Sequence, residues 1–83
     1  MTDEEFDVLD ELYFVIKYGD LLEETGLPSE QLIQVLQSLY SKGWIKIMET
    51  VDDELSASEI DLKNSAGSYF FLATKSGLLA HNT

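Results

Sequence analysis

The chain has 83 residues, no cysteine, and sixteen Asp and Glu against five Lys, giving a formal net charge of -11. That length holds one domain (residues 1-83) with a single core, and the missing thiols exclude disulfides, thiolate nucleophiles and cysteine metal ligands, so packing of a composition that is 45% hydrophobic must hold the fold. The charge disfavours polyanionic partners, Met1-Thr2-Asp3-Glu4-Glu5 is acidic where a signal peptide is basic, and no apolar run approaches the ~18 residues of a membrane span, so a cytoplasmic protein without membrane insertion is expected.

Thr2 with Glu5 three residues on has capping-box spacing and predicts a helix start. With residues placed about 100° apart, Phe6, Val8, Leu9, Leu12, Tyr13, Val15 and Ile16 share one broad arc, while Asp3, Asp7, Asp10, Glu11 and Lys17 lie opposite; the first helix is expected to run to about Lys17. Phe14 falls among Asp3, Asp7 and Asp10 on the charged side. An exposed Phe ringed by acids reads as a binding patch, unless the tail around Leu78-Leu79, or the amino terminus of a symmetry mate, covers it. Gly19 offers a left-handed stop, and Asp20 with Glu23 repeats the capping spacing for a short second helix through about Thr25.

Gly26-Leu27-Pro28 is a turn, and Pro is tolerated in a helical first turn, so a third helix is expected from Ser29 to Lys42. Leu32, Ile33, Val35, Leu36, Leu39 and Tyr40 lie on its apolar arc, with Glu30, Gln31, Gln34, Gln37, Ser38, Ser41 and Lys42 on the other. Gly43 is read as its C-cap. Trp44-Ile45-Lys46-Ile47-Met48 predicts a strand by its β-branched and aromatic content. From Glu49 to Gly67 the pattern weakens to an acidic, small-residue stretch, which reads as a long hairpin connection with a short extra strand near Ile60. Ser68 to Thr74 predicts a further strand, and Lys75 to Thr83 is long enough for one or two helical turns.

Few residues offer chemistry. His81 is the only histidine, read as a solvated residue in a fraying tail, and without Cys or a second His it builds neither a zinc site nor a catalytic relay. Asp52-Asp53-Glu54 lacks the alternating ligands and Gly of a calcium loop and reads as a solvated hairpin tip. The serines have no adjacent base and no Gly-rich elbow. No cofactor, no metal and no enzymatic activity are expected. Trp44 and Tyr40 are candidate partner anchors by type, but their position at a helix end and strand start favours a role covering the core.

The order helix, short helix, tight turn, helix, β-hairpin resembles the winged helix-turn-helix superfamily. Leu21, Gly26, Leu27, Leu32 and Val35 match the helix-turn-helix spacing. Leu36, Leu39 and Gly43-Trp44-Ile45 resemble the passage from the third helix into the first wing strand. Leu72-Ala73-Thr74-Lys75-Ser76-Gly77 is similar to the step that closes the wing in MarR-like and PadR-like regulators. The resemblance covers Phe6 to Leu79 and implies an α+β fold: a three-helix core with a C-terminal β-hairpin wing. It also implies a third helix that docks in a DNA major groove, usually within a homodimer.

By that resemblance the reading positions are Glu30, Gln34, Gln37, Ser38 and Ser41, with Lys42 as the cation beside them. They carry little positive charge, whereas duplex affinity depends on about 6 to 10 phosphate contacts by Lys and Arg. Asp52, Asp53, Glu54, Glu59 and Asp61 place acids on the wing with only Lys63 as counterweight. The expectation is therefore a non-enzymatic interaction module that binds a protein partner or itself through this face or Phe14. A DNA-binding transcriptional regulator is the alternative, and an acidic mimic of nucleic acid is a third.

Overall fold

A computed structural model of the chain describes residues 1–82; of the tail expected over Lys75 to Thr83, Thr83 lies outside the described residues. The first helix, α1 (Asp3–Asp10), starts where the capping spacing places it. Thr2 Oγ1 accepts from the Glu5 amide at 3.1 Å, and the Glu5 carboxylate accepts from the Thr2 amide at 2.9 Å.

Its end departs from the expectation of a helix running to Lys17. Val8, Leu9 and Leu12 are fully buried, as the arc requires. The Leu12 carbonyl, however, accepts from the Ala73 amide at 2.9 Å, so a sheet strand takes over the backbone two residues after Asp10. The β-branched Val15 and Ile16 then favour extended structure, and Ile16–Lys17 form β1. The apolar arc could not signal this, because no Gly or Pro interrupts it. Phe6, Tyr13 and Val15, placed on the buried arc, are 45%, 38% and 38% exposed.

Gly19 is no stop. It lies inside α2 (Tyr18–Thr25), which begins two residues before the predicted Asp20 start, with Lys17 at its N-cap and no side-chain cap. Tyr18 explains the earlier start: its ring is buried, and its hydroxyl donates to the Ser29 carbonyl at 3.2 Å and meets Ser29 Oγ at 2.7 Å, tying α2 to the next helix. Gly26 closes α2 at φ 67°, a left-handed conformation that favours Gly.

Helix α3 (Ser29–Ser41) matches its prediction within a residue. Leu32, Val35, Leu36 and Leu39 are buried, and Ile33 and Tyr40 pack against the core from its margin. Lys42 is the C-cap and Gly43 follows at φ 75°, turning the chain into β2 (Ile45–Thr50).

The stretch from Glu49 to Gly67 is more structured than a hairpin connection. The extra strand lies at Asp53–Glu54 (β3), not near Ile60, and after a 3-10 turn over 57–59 comes α4 (Leu62–Ser65). Ile60 and Leu55 instead pack against the core, and Leu62, Ala66 and Tyr69 are buried. Their burial, not strand pairing, organises this segment. β4 (Phe70–Ala73) is shorter at both ends than the Ser68 to Thr74 expectation. α5 (Lys75–His81) makes two turns, with the Thr74 hydroxyl accepting from the Gly77 amide at 3.1 Å.

The four strands form one antiparallel sheet in the order β1-β4-β2-β3. Ile16, Phe71 and Ile47 align across it, as do Lys17, Phe70 and Met48. The buried residues of α1, α2, α3, β2, β4 and the 62–69 segment make a single cluster that includes Phe71, so the fold is a compact α+β domain.

Candidate functional site

With Leu32, Val35, Leu36 and Leu39 turned inward, α3 presents Glu30, Gln34, Gln37 and Ser41 as exposed residues, Ser38 half-buried and Lys42 at its end. Two grooves flank this face. One runs between α3 and the amino end of α1, with Thr2, Glu4 and Glu5 facing Glu30, Gln34, Ser38 and Lys42. The other lies toward α4, bounded by Ser29, Ile33, Gln37 and Lys63. Glu30 and Gln34 line both, so they stand on the ridge between them.

One expected reading residue, Ser38, and the adjacent cation, Lys42, are already engaged. Glu5 is 3% exposed, and its Oε2 accepts from Lys42 Nζ at 2.6 Å and from Ser38 Oγ at 2.9 Å. Burial pushes the Glu5 carboxyl pKa up. The hydrogen bonds from Lys42, the Thr2 amide and Ser38, together with the Lys42 charge, outweigh that and lower it to about 2. Beside it Gln31 Nε2 donates to the Glu4 carboxylate. The polar groups at the α1–α3 contact therefore satisfy one another. Thr2 and Glu5 were legible as a helix cap; that the same carboxylate also neutralises Lys42 carries no local sequence signal.

The other lysines are dispersed. Lys17 lies 5.9 Å from the Phe70 ring centroid, Lys63 is on the α4 side of α3, and Lys46 and Lys75 line a groove that also contains Glu54. Asp52, Asp53 and Glu54 are exposed around the β2–β3 turn, and no group of three or more His, Asp or Glu is arranged to hold a metal ion among the described residues.

Phe14 is 84% exposed, the most exposed large apolar side chain described. It belongs to the turn between α1 and β1, not to the acidic side of a helix, because α1 has ended by then. The tail does not cover it. Tyr40 and Trp44 both pack against the core from its margin, in keeping with a covering role.

His81 is not a solvated tail residue. Its imidazole stacks on Phe6 with centroids 4.1 Å apart, and its Nδ1 is 2.7 Å from the Tyr13 hydroxyl. Its side chain is 8% exposed, and its Nε2 lies 3.5 Å from Asp10 Oδ1. These partners hold α5 against α1, which a tail of nine residues did not reveal. The groove beside this contact is walled by Met1, Asp3, Phe6, Trp44 and Ala80. Compared with family models, curated proteins and solved structures, the chain matches none.

Proposed function

We propose that the chain is a winged-helix interaction module without catalytic activity, which binds a protein partner or a second copy of itself through the exposed face of α3 and through Phe14. The element order supports the winged-helix reading: α1, β1, α2 and α3 are followed by β2 and β4, paired side by side with β1 on the far edge of β4. In that reading the segment between β2 and β4 is an enlarged wing, and α3 is the helix that DNA-binding relatives would seat in a major groove.

The observation that carries the choice of partner is the Glu5–Lys42 pair. The cation at the end of α3 is paired at 2.6 Å with a buried carboxylate, so its charge is already balanced, although its side chain remains 39% exposed. Ser38 is held by the same oxygen. The rest of the exposed face is Glu30, Gln34, Gln37 and Ser41, whose hydroxyl donates to the Ser38 carbonyl at 2.8 Å, a polar surface with one acid. Such a surface suits a protein contact better than a polyphosphate, whose affinity depends on released counterions.

The test is a titration with duplex DNA at ~50 mM salt, the regime in which phosphate contacts are strongest, alongside a mass measurement in solution and capture from the native lysate. The module reading expects no saturable DNA binding, and association that weakens in Gln34→Ala and Phe14→Ala without loss of folding. Duplex binding that declines steeply with salt would replace it with the regulator reading. Association unchanged in both variants would remove both faces.

A further inference from the structure

The corner where α1, β2 and α5 meet has a chemistry unlike the α3 face. Phe6 is stacked on His81 by one face yet is 45% exposed, so the rest of its ring is open to the groove that it shares with Trp44. The walls stand on rigid elements. The Thr74 amide donates to the Trp44 carbonyl at 2.9 Å, the Thr74 hydroxyl donates to the Gly43 carbonyl at 2.7 Å, and Gly77 lies so close that a Cβ there would sit 2.0 Å from the Trp44 oxygen. Aromatic surfaces fixed in this way are ready to receive a ligand without reordering.

The field at this corner is negative. Asp3 stands in the groove, and Asp7 and Asp10 continue along α1, whose last turn has no basic residue. Against them stand the Met1 ammonium and Lys42, and Lys42 is neutralised by Glu5. Lys42, which does not line the groove, already holds its Nζ 4.8 Å from the centroid of the Trp44 ring, so the indole accepts a cation within the chain itself. Cations are drawn to such rings by the quadrupole, Arg most often.

We propose that this groove is a docking site for a basic segment of a protein partner, one arginine or lysine lying against Phe6 and Trp44 with its charge toward Asp3. The proposal rests on the interaction-module reading and adds the partner's chemistry: a cationic segment with apolar neighbours, attracted by the charge of -11 and positioned by the aromatic walls.

Trp44 is the single tryptophan of the chain, so its fluorescence reports on the groove directly. The probe is a blocked hexapeptide of alternating leucine and arginine, with a leucine–glutamine peptide as control. The expected result is a saturable change with the arginine peptide alone, at or below ~1 mM, weakening as salt rises from ~50 to ~200 mM. Amide shifts should centre on Thr2, Phe6, Trp44 and Ala80. Asp3→Asn and Phe6→Leu should each weaken binding about two- to fivefold, whereas Gln34→Ala and Phe14→Ala should leave it unchanged.

Asp3→Asn alters an exposed side chain, so it keeps the test valid if Phe6→Leu perturbs packing. No saturable change, equal binding of the glutamine peptide, or shifts centred on α3 would overturn the proposal. Loss of the groove with α3-dependent association intact would overturn this inference alone. Loss of association at α3 with peptide binding intact would instead move the module's contact surface to the groove.

Discussion

Lys42 Nζ lies 2.6 Å from Glu5 Oε2 across 37 residues of sequence, and this contact joins the start of α1 to the end of α3. The same carboxylate completes the α1 capping box and accepts from Ser38. One buried carboxylate thus closes a helix terminus, ties two helices together and pairs a surface lysine.

Acid should undo that contact in a defined window. The folded-state pKa of Glu5, about 2, is below its ordinary value of 4.5, so the stabilisation is complete above about 4.5 and vanishes as pH falls through about 2. Glu5→Gln should therefore be less stable than the parent at neutral pH, by on the order of 2 to 3 kcal/mol. The difference should close by the acid end of the window. Thermal unfolding of both proteins at neutral pH and through the acid range checks this, and a gap that stays constant with pH would contradict it.

Gly77 and Gly19 should respond in opposite directions to the same substitution. A Cβ at Gly77 meets the Trp44 backbone oxygen at 2.0 Å, so Gly77→Ala forces α5 away from the β2 entry and should cost about 1 to 3 kcal/mol. Gly19 lies within α2 with nothing within 4 Å of a Cβ, and Gly19→Ala should stabilise by about 0.5 to 1 kcal/mol through helix propensity and the unfolded chain. Denaturant midpoints measure both.

His81→Ala should loosen α5 without dissolving the core. It removes the stack on Phe6 and the contact with Tyr13 Oη, and the expected loss is about 1 to 2 kcal/mol. Amide exchange should quicken at Leu78 and Asn82, whose N–H groups close the turns of α5, while Leu36 and Ile47 keep their protection. Uniform acceleration across the chain would mean that α5 is part of the global unit.

Phe14→Ser should leave stability within about 0.5 kcal/mol of the parent, because the ring is 84% exposed and buries little apolar surface. Any loss of association in this variant is then a loss of contact surface. A large drop in stability would place the ring in a structural role that its exposure does not suggest.

Where local residues dictate geometry, the chain is readable from its sequence. Leu32, Val35, Leu36 and Leu39 recur at helical spacing between a Gly-Leu-Pro turn and Gly43, and α3 forms within a residue of that frame. Where two structures satisfy the same pattern, sequence reading fails. Residues 12 to 16 continue the apolar arc of α1, but the Ala73 amide takes the Leu12 carbonyl, and a strand results. The 49–67 segment misled for the opposite reason: Leu55, Ile60, Leu62 and Ala66 are spaced too irregularly to signal an element, yet each finds the core. At the candidate site, Glu30, Gln34, Gln37 and Ser41 were legible as an exposed face because α3 is amphipathic. The engagement of Ser38 and Lys42 was not.

Residue order alone determined the α1 capping box, the amphipathic third helix, the presence of the two main strands and the excess of acid over base, since each depends on neighbours within a few positions or on composition. Tertiary structure decided where α1 stops, which face receives His81, and which carboxylate holds Lys42. Those outcomes turn on hydrogen bonds and charges meeting across dozens of residues, and a buried group takes whichever partner the folded chain brings within reach.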